Sequence, residues 1–493
     1  MKYSLFKKID PMDTMALGLC LFAFSFWVII LSYKFFHFGY YDWDLALFSQ
    51  AMWRLCHGSS YVSLFDANIF SNHANLIAYV ILPVYIIFQH PLTLVFLKVI
   101  SYITAAFILY VLAKEKLSAK VAILLLWLYL SYAPNVFGIL YEFDFESLAP
   151  AFLMLILYFY IKERWWGFLI CAVFLILIKE NLPLIILAFS IHGAFTKKDK
   201  LRWSIIPGTL ALISFCLLVF VFIPRMSGLP IGQPQPYYMG QDYQYFGGSL
   251  VGILFNVIFH PIKTLHYLLT PLNFSFLAAI FNPLMYLPLG APGILFLISP
   301  IFLQHLLSAS LTEHNIRYFY VMTMAPFLFL ATIQTLEYFC KNNQKGYQLI
   351  LSLLLFISFL ALIINFDVFK KRFLMIESWN ETKQMINDRW ELVQSIPKKA
   401  SVVASFSFLA QLSRRDNLYP FFKIYDSHYQ NEFYHYKLPA NVEYALIDIH
   451  DPWLLKEDEY DVAKQRARNF LTSPDWRILK RYGRYILYKR NVI

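Results

Sequence analysis

The stretch "YYDWDLALFSQAMWRLCHG" at residues 40–58 sets Asp42 and Asp44 where a long apolar run gives way to polar chain. Either carboxylate could take a proton from a hydroxyl, and either could sit at the start of the helix that "LALFSQAMW" predicts. "YEFDFES" at 141–147 alternates Glu142, Asp144 and Glu146 with Tyr141, Phe143 and Phe145. As extended chain it would turn three carboxylates one way and three rings the other. Acids so close together raise one another's pKa or recruit a divalent cation such as Mg or Mn; a solvated loop has the same pattern.

"KEN" at 179–181 places Lys179 and Glu180 inside some thirty otherwise apolar residues. A charge at bilayer depth costs several kcal/mol unless it is paired or wetted, so these two predict an ion pair, a polar cavity or both. His73, Glu313, His314, Arg317 and Tyr318 complete the set. Arg317 suits a phosphate, being permanently charged and able to bind with two N–H groups, and Lys179 offers a second positive point. Arg317 also fits a lipid-headgroup anchor. No spacing of His73 and His314 enforces a metal coordination sphere, and ordinary hydrogen bonding accounts for both.

The elements that must carry these residues are helices in a membrane. Of 493 residues 59% are hydrophobic and 15% charged, and the mean hydropathy is +0.53, more apolar surface than a soluble domain of this size needs. The net charge of +11 belongs to cytoplasmic loops and anionic headgroups; with no soluble basic module in the sequence, nucleic acid is not a partner. The five cysteines form no disulfide framework or metal spacing.

Lys2, Lys7 and Lys8 precede an apolar run over 15–33, read as an anchor with its N-terminus in the cytoplasm. Further spans are predicted near 93–113, 120–138, 147–161, 165–179, 182–195, 203–223, 266–287, 291–309, 316–337 and 347–366. The short basic loops at 114–120, 162–164, 197–202 and 341–345 face the cytoplasm by the positive-inside rule, which puts every acidic stretch on the opposite face. That parity requires "ANLIAYVILPVYIIFQHP", broken by Pro83 and Pro91, to be re-entrant or interfacial, giving about eleven crossings. The helix after Asp44 reads as amphipathic, suited to lie along the membrane surface. Residues 1–365 form this all-α transmembrane domain. Residues 366–493 are read as a small α/β domain on the outer, extracytoplasmic face of the membrane, with strand-like runs at 401–406, 442–449 and 484–490. Loop 224–250, rich in Pro, Gly and aromatics, suits a cover over the site or a plain linker.

These motifs, in this order, resemble the GT-C superfamily of polytopic glycosyltransferases, and within it a bacterial family of predicted membrane proteins of unknown function. "WDLALFSQAMW" is similar to that family's first-loop motif through Asp44, Leu45, Phe48, Gln50 and Trp53, with Ser49 in place of a second acid. His73, Pro83 and Tyr85 match its next segment. Tyr141, Glu142, Phe143 and Glu146 match the one after, from which Asp144 and Phe145 depart. Lys179 and Glu180 match a Lys-Glu-Asp motif, and "RYFYVMTMAPFLF" resembles an aromatic-Pro-Phe helix. The resemblance spans nearly the whole chain.

It implies a multi-pass protein of the bacterial cytoplasmic membrane that moves a sugar, hexosyl or pentosyl, with inversion from a polyprenyl-phosphate donor to a glycan, lipid or protein acceptor at the outer face. Asp44 would then be the base, with Asp42 its rival. Glu142, Asp144, Glu146 and His73 would orient the acceptor or a cation, and Lys179 and Arg317 would take the phosphate. Gln50, Trp53, Glu180, Glu313, His314 and Tyr318 would support them. A transporter or flippase of a lipid-linked saccharide is the alternative, although transporters gather charges at the midplane and repeat themselves, which this chain does not. A non-catalytic scaffold is the third reading.

Overall fold

A computed structural model describes residues 10–229, 242–374, 382–426, 436–451 and 460–491. Of the expected cover loop, residues 230–241 lie outside these described residues. The helices in chain order begin with α1 (Pro11–Phe36), α2 (Asp44–Cys56), α3 (Ile77–Ile87), α4 (Pro91–Lys116), α5 (Ala119–Ser131), α6 (Ala133–Leu140), α7 (Ala149–Ile161), α8 (Trp165–Ile178) and α9 (Pro183–Thr196). Proline near the first position opens α6, α7 and α9, as it does the helices Pro271–Phe281, Pro292–Leu307 and Ala325–Asn342. The ring fixes a helical φ, and the N–H it lacks has no partner at that position anyway.

Among the described residues three helices are long and apolar enough to cross a membrane unbroken: Pro11–Phe36, Pro91–Lys116 and Leu201–Met226. Two bent pairs, Ala119–Ser131 with Ala133–Leu140 and Pro261–Leu268 with Pro271–Leu284, bring the number to five, and the other apolar helices are shorter. The expected span 266–287 is thus a pair bent by 59°, with Pro271 opening its second part. The span expected over 316–337 starts at Ala325, after a 3-10 turn at Phe319–Thr323, because Pro326 opens a new helix there. The interrupted segment before α4 forms an 11-residue helix, α3, which at 1.5 Å per residue is about 16 Å long, too short to span.

The chain divides into two compact units. The first contains residues 70–78 and 96–368 with the N-terminal residues to Val28, and the second contains Ile29–Ile69, Tyr79–Val95 and Phe369–Ile493. The second unit carries a hairpin of β1 (Tyr61–Val62) and β2 (Ala67–Asn68) and a five-stranded sheet. The sheet consists of β3 (Val402–Ala404), β4 (Leu418–Pro420), β5 (Tyr444–Asp448), β6 (Trp476–Tyr482) and β7 (Tyr485–Arg490), in the order β4-β3-β5-β7-β6. β3 pairs in parallel with β4 and β5; β7 runs antiparallel to β5 and β6. The three strand-like runs of the sequence are β3, β5 and β7. β4 and β6 escaped notice, β4 because it is three residues ending in proline and β6 because Arg477, Lys480 and Arg481 break its apolar pattern.

In the same unit α2 is buried from Leu45 to Met52 and does not lie on a surface as its pattern suggested. Its polar residues explain the difference. Gln50 Nε2 donates to Ser63 Oγ at 2.9 Å and to the Arg415 carbonyl at 3.0 Å, while its Oε1 accepts from Leu64 N–H at 3.1 Å. Ser49 Oγ lies 3.0 Å from the Tyr85 hydroxyl and accepts from Ser413 Oγ at 2.9 Å. A buried amide is tolerated only with such partners.

Candidate functional site

The polar centre of the first unit forms where three helices stop. α8 ends at Lys179, whose extended backbone (φ −158°, ψ 149°) sends Lys179 and Glu180 to different partners. Lys179 Nζ donates to Glu146 Oε2 at 2.7 Å, and the pair is nearly dry, with side-chain exposures of 10% and 2%. Glu180 Oε1 meets His73 Nδ1 at 2.8 Å, and its Oε2 accepts from Ala74 N–H at 3.1 Å. Asn75 adds a bond to the Ile178 carbonyl at 2.8 Å. Three consecutive residues, 73 to 75, therefore hold the last residue of α8 and Glu180, two residues beyond it. Burial by itself would raise the Glu180 carboxyl, but His73 and then Lys179 outweigh it and hold the group down at about 2.

Glu146 reaches Lys179 from a 3-10 turn, Phe145–Leu148, that replaces the expected extended alternation. Asp144 caps this turn, its Oδ1 accepting from Glu146 N–H at 2.7 Å, so this acid builds the loop that presents its neighbour. Glu142, Phe143 and Phe145 are all buried, and carboxylates and rings are not sorted to opposite sides.

One residue the sequence reading passed over organises this loop. Lys98, fully buried two turns into α4, donates to the carbonyls of Tyr141 at 2.8 Å, Glu142 at 3.1 Å and Gly138 at 3.4 Å. It thereby caps the C-terminal end of α6, where a cation is favoured. The signal was a single lysine within twenty-odd apolar residues, the same signal that drew attention to Lys179. Gly138 lets the other side of α6 approach closely: a Cβ there would overlap Met322. That approach sets Tyr141 edge-on to Tyr318 at 5.0 Å.

The segment 304–320 closes the centre. Asn181 Nδ2 donates to Gln304 Oε1 at 2.8 Å. His305 Nδ1 lies 3.1 Å from the Glu313 carbonyl and 3.3 Å from its Oε2. Burial pushes the Glu313 carboxyl up to about 8, against the pull of Lys179. His314 sets both ring nitrogens against oxygens, Nδ1 2.9 Å from Ser310 O and Nε2 2.7 Å from Asn273 Oδ1. The Asn273 amide is oriented by its own donation to Leu306 O at 2.8 Å. Arg317 is exposed, and among the described residues its guanidinium meets no partner. Tyr318 stands beside it, half-buried.

Glu146, Lys179, Glu180 and His73 are thus brought together, with Asp144 and Glu313 within electrostatic reach of Lys179. Asp42, Asp44, Gln50 and Trp53 belong to the second unit. There Asp42 Oδ1 accepts from Trp43 N–H at 2.9 Å, Asp44 lies in the first turn of α2, and the Trp53 ring packs 4.1 Å from that of His57. Among the described residues no group of three or more His, Cys, Asp or Glu is arranged to hold a metal ion.

Buried charges at the breaks of apolar helices, joined to a small mixed sheet, define a polytopic helical membrane protein with an α/β appendage. The chain belongs to the family described as predicted membrane protein (DUF2079), whose model matches residues 32–488. No curated protein matches the sequence. Among solved structures it is similar to the archaeal oligosaccharyltransferase AglB from Archaeoglobus fulgidus, in complex with an inhibitory peptide and a dolichol-phosphate. That similarity has 12% identity and a TM-score of 0.40, over 90% of this chain and 72% of that one.

Proposed function

We propose that this membrane protein is an inverting glycosyltransferase that moves a sugar from a polyprenyl-phosphate donor to an acceptor hydroxyl at the outer face of the membrane. The observation that supports the reading is the Lys179–Glu146 pair with Glu180–His73 beside it, an ammonium held at the break between two apolar helices. Burying it is costly, and binding an anion there would offset that cost. An ammonium has three N–H donors, of which Glu146 takes one; among the described residues the other two have no hydrogen-bond partner and can meet a phosphate.

In the reaction the acceptor oxygen attacks C1 of the sugar as its proton passes to a carboxylate base, the role that the first-loop motif gives Asp44. The bond from C1 to the phosphate oxygen breaks, its electron pair stays on that oxygen, and C1 inverts. Lys179 and Arg317 stabilise the charge gathering on the departing phosphate. Glu146 holds Lys179 in place, and Glu142 orients the acceptor.

The test is Asp44→Asn in membranes supplied with polyprenyl-phosphate sugars, measuring release of free polyprenyl phosphate. Loss of the base lowers the rate by roughly 10²–10⁴-fold. Full activity in the variant removes Asp44 from this role. Passage of intact donor across sealed vesicles, without release, would establish the flippase alternative instead.

A further inference from the structure

Three tyrosines lead from the protein surface to the buried ion pair, and nothing in the chemistry above uses them. Tyr141 meets Tyr318 edge to face at 5.0 Å, and Tyr318 lies 6.2 Å from Tyr320. Lys179 Nζ stands 5.8 Å from the centre of the Tyr320 ring, and His305 packs 5.6 Å from the same ring. All three tyrosines are half-buried, the residue before Tyr318 is the exposed Arg317, and the Glu146–Lys179 pair at the inner end is closed from water.

Tyrosines that serve only as interfacial anchors spread around the perimeter of a membrane protein. These come from two separate segments, and the innermost of them, Tyr320, faces the Lys179 ammonium. Lys98 and Gly138 hold the first segment in place, and the 3-10 turn Phe319–Thr323 holds the second. The file is therefore built by the same contacts that build the polar centre.

We propose that Tyr141, Tyr318 and Tyr320 form a saccharide subsite. It would receive a hexopyranosyl phosphate with the axial C–H face of the ring laid on the tyrosines and the phosphate directed to Lys179. The chemistry is complementary at both ends. A pyranose carries polarised C–H groups on one face, which suit the negative face of an aromatic ring, and its anionic phosphate suits an ammonium. The phosphate meets the only charged donor at the inner end of the file among the described residues. This assignment deepens the transferase reading and rests on it for the phosphate; free and lipid-linked glycosyl phosphates share the recognised group.

The test uses the full chain in nanodiscs and saturation-transfer difference NMR. The probes are glucose, mannose, galactose and N-acetylglucosamine 1-phosphates, the same four as farnesyl phosphodiesters, and inorganic phosphate. The expected result is saturation of the H3 and H5 protons of at least one pyranose. Tyr318→Ala and Tyr141→Ala weaken that binding about two- to tenfold, the equivalent of a lost ring contact, while Tyr318→Phe and Tyr141→Phe retain it. Stronger saturation of the phosphodiester identifies the lipid-linked form as the ligand, and equal saturation identifies the glycosyl phosphate alone. If no pyranose is saturated, or if the alanine variants bind as wild type does, the subsite is wrong.

Polyprenyl-phosphate release, assayed alongside, separates the two ideas. Tyrosine-dependent binding with no release in wild type keeps the subsite and removes the transferase. Release that the alanine variants leave untouched does the reverse.

Discussion

The Glu146–Lys179 pair can be divided into its structural and its chemical parts, because removing one partner and removing both have different consequences. Glu146→Gln leaves an ammonium at 10% exposure with its nearest aromatic face, Tyr320, 5.8 Å away. Breaking a buried pair in this way costs about 3–5 kcal/mol. At roughly 2–4 °C per kcal/mol for a unit of this size, the melting temperature in detergent falls by roughly 6–20 °C. Replacing both residues, as Glu146→Met with Lys179→Met, removes both desolvated charges and fills the space with apolar side chains of similar volume. Such swaps are about neutral or stabilise by about 1–4 kcal/mol. The double variant should therefore melt near wild type by scanning fluorimetry and elute as one peak from a size-exclusion column. It should nevertheless release no polyprenyl phosphate from a glycosylated donor. A double variant as active as wild type would refute the role given to Lys179 and leave the pair a structural feature. A single variant that melts within a degree of wild type would instead refute the burial on which the magnitude rests.

Three further outcomes follow from the contacts around this pair and in the second unit. Lys98→Met removes one donor from each of the carbonyls of Tyr141 and Glu142, at about 1–3 kcal/mol each, and loosens the loop that carries Glu142. Carbodiimide labelling read by mass spectrometry should then reach Glu142, which is buried in wild type. Gln50→Leu strips partners from Ser63, Leu64 N–H and the Arg415 carbonyl, and should cost about 2–4 kcal/mol, seen as earlier proteolysis of the C-terminal region. For Glu313 the folded-state pKa is raised, from 4.5 to about 8, so the folded chain binds the extra proton between those values. Its contribution to stability is full below pH 4.5 and is lost as pH rises through 8. The melting temperature of wild type relative to Glu313→Gln should therefore decline over that window; a flat difference would place the carboxyl in water.

The sequence makes some of this plain because membrane burial penalises charge so heavily. Lys179 and Glu180 had to find partners, and the structure supplies Glu146 and His73. Proline marks the helix starts for a similarly local reason. Contacts that depend on distant chain were not legible. The partners of Lys98 lie 40 to 44 residues away, and those of Gln50 include a carbonyl 365 residues away. An amphipathic pattern cannot say whether its polar stripe meets water or protein, which is why α2 read as a surface helix and is buried. The alternation in "YEFDFES" misled because Asp144 turns the chain into a 3-10 helix before the strand period can establish itself.

The bond from Gln50 to the Arg415 carbonyl also has a meaning in time. A ribosome adding about 5–20 residues per second makes Arg415 roughly 20–70 s after Gln50. Throughout that interval the segment bearing Asp42 and Asp44 has been synthesised but lacks the chain that completes its core. A cell producing this protein must shelter that segment until the last quarter of the polypeptide arrives. A stop codon late in the sequence, far from either aspartate, would therefore leave Asp44 on a helix whose buried amide has lost one of its partners, the Arg415 carbonyl.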